Sequence, residues 1–176
     1  MHHPLRCRCG ALQGQVAHNP RAQRGVCYCK DCRAFAHFLG QPDEVLDRFG
    51  GTAVLATQPR FVTFTTGLEN LACMSLSPRG TLRWYASCCN TPIGNSVRDI
   101  RMAHIGLIRN CLESPASSLE AMYGPIRMHV NRQSAHGTPP SAPVSTFFAI
   151  LRFVRSLIGA RLSGSYRQSP FFQADR

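Results

Sequence analysis

The sequence predicts a mainly β fold of antiparallel strands followed by one amphipathic helix, and three observations carry that prediction. From Gly10 to about Val130 the apolar runs are short and turn residues interrupt them repeatedly, a strand-rich pattern. Within that stretch only Asp43 to Phe49 and Pro115 to Met122 read as helix, and both are short. Beyond Asn131 the composition changes: residues 133–144 form a Pro/Ser-rich linker, and residues 145–162 then repeat apolar side chains at helical spacing.

The strands follow in order. GALQGQV (10–16) comes just after the first cysteine pair, and AVLAT (53–57), RFVTFTT (60–66), NLACMSL (70–76), TLRWYA (81–86) and AHIGLI (103–108) follow it. Turn chemistry separates them at Gln58-Pro59, at Gly67, across Ser77-Pro78-Arg79-Gly80, and from Asn90 to Asn95. In the helix, Phe147, Leu151, Val154 and Ile158 form one stripe flanked by Ile150 and Leu157. Arg152, Arg155 and Ser156 lie away from it, and Ser145 is the expected cap. The stripe is expected to pack on the β-body, while the basic opposite face also suits peripheral membrane contact through residues 145–162. The chain thus divides into a cysteine-rich β domain (1–132), a linker (133–144) and a helix with its tail (145–176), in which SPFF (169–172) either docks or hangs free.

A chain of 176 residues can bury a core without disulfide staples. The N-terminal stretch has no apolar run following its charges and no window of eighteen apolar residues occurs, so the protein is expected in the cytoplasm. In that reducing compartment nine cysteines are expected to bind metal or do chemistry. The formal charge of +11 comes almost wholly from arginine, since Lys30 is the single lysine. Zinc held by thiolates would reduce it to roughly +8, which still favours anionic partners of any kind. No strip of interleaved aromatic and basic residues stands out, so no specific nucleic acid is expected.

Zinc takes tetrahedral sulfur ligands that usually arrive in local pairs from turns. Cys7-Arg-Cys9 and Cys27-Tyr-Cys29-Lys-Asp-Cys32 fit that need. Three ligands in one short loop leave a coordination position to be filled from elsewhere or left to substrate, which is how catalytic zinc differs from structural zinc. A closed zinc knuckle is the alternative, as is a redox pair at Cys29 and Cys32, although the latter wants a strand and a helix in a βαβ setting, which the sequence lacks here. Cys73 and Cys111 read as buried small hydrophobes, and His37, His104 and His129 as core or surface histidines.

In order along the chain, RCRCGALQGQV, VCYCKDCRAF and RWYASCCNTPIG, with PIRMHV (125–130) as a last strand, resemble the glutathione-dependent formaldehyde-activating enzyme family, which includes the vertebrate centromere protein V. The resemblance runs from about Leu5 to Asn131. It implies a β-tent fold of antiparallel sheets with two Zn2+ ions, a structural one held by Cys7, Cys9 and Cys89 and an open catalytic one held by Cys27, Cys29 and Cys32. It also implies a carbon–sulfur lyase run in reverse, joining glutathione to formaldehyde as S-hydroxymethylglutathione. The third motif departs from the family, which has C-x-x-C-G where this chain has Ala86 first. Cys88 is the nearest candidate to replace it; without Cys88 the structural site has three thiolates plus a distant group, or is vestigial. Neighbours in a strand point to opposite faces, so Cys88 and Cys89 reach one metal only through a turn, for which Asn90 and Pro92 supply the chemistry. Glutathione is anionic, and Arg33 and Lys30 are the candidate carboxylate clamps. The alternative is a non-enzymatic zinc module that binds a nucleic-acid or protein partner through an Arg-rich surface.

Overall fold

The computed structural model describes residues 1–112, 116–141 and 146–172. They form two sheets and four α-helices. The smaller sheet has β1 (His2–Arg6), β2 (Gln13–Ala17) and β5 (Val62–Thr66) in the order β1-β2-β5. The larger has seven strands: β3 (Gln23–Cys27), β4 (Thr52–Thr57), β6 (Leu71–Met74), β7 (Leu82–Ala86), β8 (Thr91–Ser96), β9 (Ile105–Ile108) and β10 (Ile126–Val130). Its order is β10-β3-β4-β9-β8-β7-β6. The helices are α1 (Lys30–Phe38), α2 (Pro42–Val45), α3 (Ala116–Tyr123) and α4 (Thr146–Leu162).

The predicted mainly β character holds, with four differences. All neighbours are antiparallel except β10 and β3, which run parallel, so the larger sheet is mixed. The segment from Asn90 to Asn95, expected as a break, is instead mostly strand β8: Pro92 sits opposite Tyr85 where a register shift follows Trp84, the kind of irregularity that tolerates proline. β1, β3 and α1 lay outside the predicted elements. The predicted helix over 43–49 is the single turn α2, because Leu46 turns to an extended backbone and pairs with Thr52.

The core lies between the sheets. Leu5, Leu12 and Val16 from the smaller sheet and its turn meet Leu55, Trp84, Ile93, Ile105 and Leu107 from the larger. Strand alternation sends the neighbours of these residues to the opposite face of the larger sheet. There α1 buries Phe35, Ala36 and Leu39 against Val45 and Ile108, with Phe35 meeting Tyr85 edge-on.

The C-terminal segment is built into this body, but not as its periodicity suggests. Leu151, Val154 and Ile158 are exposed, whereas Ser156 and Ala160 are buried and Phe153 and Leu157 partly so. The polar interaction decides the orientation: Gln58, buried in the body, donates from Nε2 to Ser156 Oγ at 2.8 Å and to its carbonyl at 2.9 Å. Turning the apolar stripe inward would leave that buried amide unpaired. Ser145 and the side chains of Phe147 and Ile150 lie outside the described residues. The tail docks: Phe171 is 1% exposed and inserts between Phe64 and Trp84, with ring centroids 5.4 and 5.3 Å away. Phe171→Ala should therefore cost about 3–5 kcal/mol, read as a lowered denaturant midpoint. A change below about 0.5 kcal/mol would show the tail to be dispensable.

Candidate metal centres

The first cluster gathers sulfurs from distant parts of the chain. Cys7 follows β1, and the turn to β2 is closed by Gly10, whose N–H donates to the Cys7 carbonyl at 3.0 Å. Cys88 and Cys89 occupy the tight turn between β7 and β8. Asn90 there takes a left-handed backbone with φ 57°, and Cys89 N–H donates to the Ala86 carbonyl. Asparagine tolerates that conformation better than most residues. The turn lets adjacent cysteines face one point.

The sulfurs of Cys7, Cys9, Cys88 and Cys89 all lie within 4.8 Å of one another. Cys7 is 3.5 Å from Cys9 and 3.7 Å from Cys88; Cys88 is 3.4 Å from Cys9 and 3.8 Å from Cys89. A tetrahedron with zinc–sulfur bonds of about 2.3 Å has edges of about 3.8 Å, so the four fit a zinc ion. Burial opposes ionisation of Cys89, but hydrogen bonds from Thr91 and from the Cys9 backbone outweigh it and bring the thiol down to about 6. Burial and hydrogen bonds with Cys9 and Cys7 push Cys88 up, so protons are shared unequally until a metal displaces them.

The second cluster is local. Cys27 ends β3, Cys29 caps the N-terminus of α1 by accepting from Cys32 N–H at 3.4 Å, and Cys32 lies in the first turn. A strand and a helix thus flank Cys29-Lys-Asp-Cys32, but the next strand, β4, runs antiparallel to β3, so they do not form the βαβ unit a redox pair wants. Sharing of protons with Cys27 and Cys32, helped by the Cys32 backbone and Arg83, holds the Cys29 thiol far below its ordinary range. The same sharing, with burial, pushes Cys32 up. Among the described residues no fourth His, Cys, Asp or Glu joins these three sulfurs.

A cleft of about 440 Å3 opens on this cluster, and its lining comes from one face of the larger sheet and from α4. Val54, Met128 and Val130 make it largely apolar, and Phe153 of α4 adds a wall. Arg83, its side chain 3% exposed, lies in it. Its guanidinium donates to Asn95 Oδ1 at 3.1 Å, lies 3.8 Å from Cys32 Sγ and 3.6 Å from Asp31, and stacks over Phe35. Asn131, just beyond β10, donates to Cys27 Sγ at 3.5 Å. His104 packs edge-on against Phe153 at 4.8 Å, and burial lowers its pKa to about 4.

Of the other candidates, Arg33 donates to the carbonyls of Tyr28 at 3.0 Å and Ser134 at 2.6 Å and does not line the cleft. Lys30 is exposed in the first turn of α1. Cys111 is fully buried as expected, whereas Cys73 is exposed because β6 is an edge strand. The sequence reading missed Arg83, Asn95, Asn131 and Phe153, and it treated His104 as a plain core or surface residue. One signal was available for Arg83: period-2 alternation sets it on the face opposite Trp84, together with Tyr85.

The profile of one protein family matches residues 2–176. The chain belongs to DUF6151, a family of unknown function. This DUF6151 chain is also similar to the crystal structure of a Rhodobacter sphaeroides protein, with a TM-score of 0.50 and 19% identity over 72% of this chain and 99% of that one. At that identity the likeness concerns the fold alone. No curated protein matches the chain. The resemblance to the glutathione-dependent formaldehyde-activating family therefore rests on the cysteine motifs themselves.

Two predictions follow from the two clusters and the cleft. Purified protein should carry two zinc ions per chain by atomic absorption; Cys29→Ser should carry one with an unchanged melting temperature, and Cys88→Ala one with a lower melting temperature. The His104 pKa in the folded state lies below the unfolded value, so the unfolded chain binds the extra proton and stability falls as pH drops from about 6.5 to about 4. The partly open ring makes this loss on the order of 2 kcal/mol. His104→Gln should flatten that part of the stability profile, as measured by urea unfolding across the range.

Proposed function

We propose that this DUF6151 chain is a zinc-dependent enzyme of the carbon–sulfur lyase type that joins a thiol to a small carbonyl compound, with glutathione and formaldehyde as the first pair to test. The observation that carries the reading is the contrast between the clusters. Four sulfurs close on one another at Cys7, Cys9, Cys88 and Cys89, as a structural site requires, while three at Cys27, Cys29 and Cys32 open on a cleft. The pair of stacked sheets also suits the β-tent that the motifs imply.

Zinc bound by the three thiolates would hold an incoming thiol as its thiolate at neutral pH. The chain's own residues support the rest. Asn131 hydrogen-bonds Cys27, and α1 fixes Cys29 and Cys32 through its first turn, so the ligands are preorganised. Attack of the sulfur on the carbonyl carbon forms a carbon–sulfur bond, and the displaced π pair resides on oxygen, which takes up one proton. Arg83 and the Asn95 amide are donors within the cleft for that developing oxyanion. The apolar walls of Val54, Val130 and Phe153 limit water near the reacting carbon. Arg33 is held by two carbonyls and does not line the cleft, which leaves Lys30, exposed beside Cys29, as the cation for the carboxylate of the thiol.

Zinc-loaded protein should consume formaldehyde in a glutathione-dependent manner, and Arg83→Gln should lower kcat/KM roughly a hundredfold while keeping both metals. A cobalt-substituted sample should gain sulfur-to-metal absorption when a thiol is added and lose that response in Cys29→Ser. If no thiol perturbs the cobalt spectrum and formaldehyde loss equals the protein-free rate, the enzyme reading fails in favour of a zinc module that binds a partner.

A further inference from the structure

The outer face of α4 has no role in either metal cluster. Leu151, Val154, Ile158 and Leu162 are 44%, 40%, 52% and 84% exposed, which is unusual for four aliphatic side chains on one helix. Arg152, Arg155 and Arg161 are exposed among them. Beside the helix, Arg21 and Arg127 complete a cleft of about 540 Å3 shared with Arg152, Arg155 and Leu151. Among the described residues no acidic side chain pairs with any of these four arginines. The run from Ala121 to Ala174 contains six arginines and no Asp or Glu at all.

We propose that this face seats the protein on an anionic lipid surface, with the aliphatic stripe of α4 entering the headgroup boundary and the arginine cleft meeting headgroup phosphates. The proposal is independent of the metal chemistry. Charge and apolar surface coincide on one helix, which is what an interfacial helix needs and what a purely electrostatic contact does not. A second copy of the chain fits poorly, because an isologous contact would set two acid-free arginine faces against each other. Nucleic acid fits poorly as well, since Phe148 is the single aromatic ring lining the cleft and the exposed stripe beside it is aliphatic, which gives successive bases no stacking platform. No helix among the described residues is long and apolar enough to cross a membrane, so the contact is peripheral. The inner face of the same helix supplies Phe153 to the cleft at the three-thiol cluster, which links the docking element to that site.

The test is co-sedimentation of the full chain with vesicles of phosphatidylcholine alone or mixed with phosphatidylglycerol, at low and high salt. Binding is expected only to the mixed vesicles and should weaken with salt. Leu151→Ser/Ile158→Ser and Arg127→Glu/Arg155→Glu should each reduce partitioning roughly tenfold or more. Both pairs are on or near the surface, and unchanged melting temperatures would confirm intact folding. Absence of binding to the mixed vesicles would overturn the proposal, as would binding that either double variant leaves unchanged. So would a stable dimer in sedimentation velocity that Leu151→Ser/Ile158→Ser dissociates. Duplex DNA bound at the same salt with an affinity that this aliphatic variant does not alter would reassign the arginines to nucleic acid.

Discussion

Four sulfur atoms from two separate turns must meet at one point, and much of the structure is arranged around that demand. Cys7 and Cys88 are 81 positions apart, and one turn belongs to the smaller sheet while the other belongs to the larger. Four thiols at these distances gain little from one another as weak hydrogen-bonding partners. A zinc ion bound there would convert the same arrangement into folding free energy, because the unfolded chain has no preformed site. The metal-bound cluster would fasten the two sheets at one end of the core they share. Leu12 N–H donates to Cys7 Sγ at 3.3 Å, so the backbone of the turn is organised by the same sulfur.

The far face of the larger sheet carries the second site. Alternation places Leu55 and Trp84 in the core and Val54 and Arg83 on the opposite side. Arg83 is the most consequential of these, since a buried guanidinium is costly unless it is hydrogen-bonded and paired. Asn95 of β8 and, from α1, Asp31 and the ring of Phe35 share that task. The three-thiol cluster is thus set beside a fixed positive charge in a largely apolar cleft.

Helix α4 has two working faces. Ser156 and Ala160 hold it to the body, Phe153 reaches the cleft, and the stripe that helical periodicity marks as apolar is exposed beside arginines. An amphipathic pattern records only that one face avoids water. It does not say whether that face meets its own protein or something else. Here a pair of hydrogen bonds from Gln58 makes the choice.

The cysteine groups, most strands and the late helix were legible in the sequence because their signals are local. Spacing marks Cys27, Cys29 and Cys32; alternation marks strands such as 53–57; turn chemistry around Asn90 allows Cys88 and Cys89 to share a centre. Strand β8 was hidden by Asn90 and Pro92, whose usual meaning is a turn, and α1 was hidden because Cys29 and Cys32 at its start read as metal ligands in a loop. The tertiary structure alone decided the parallel pairing of β10 with β3, the inward setting of Arg83 and the orientation of α4. The physical reason is the same in each case. A local pattern reports what a residue type prefers, whereas pairing, burial and facing depend on partners up to a hundred positions away.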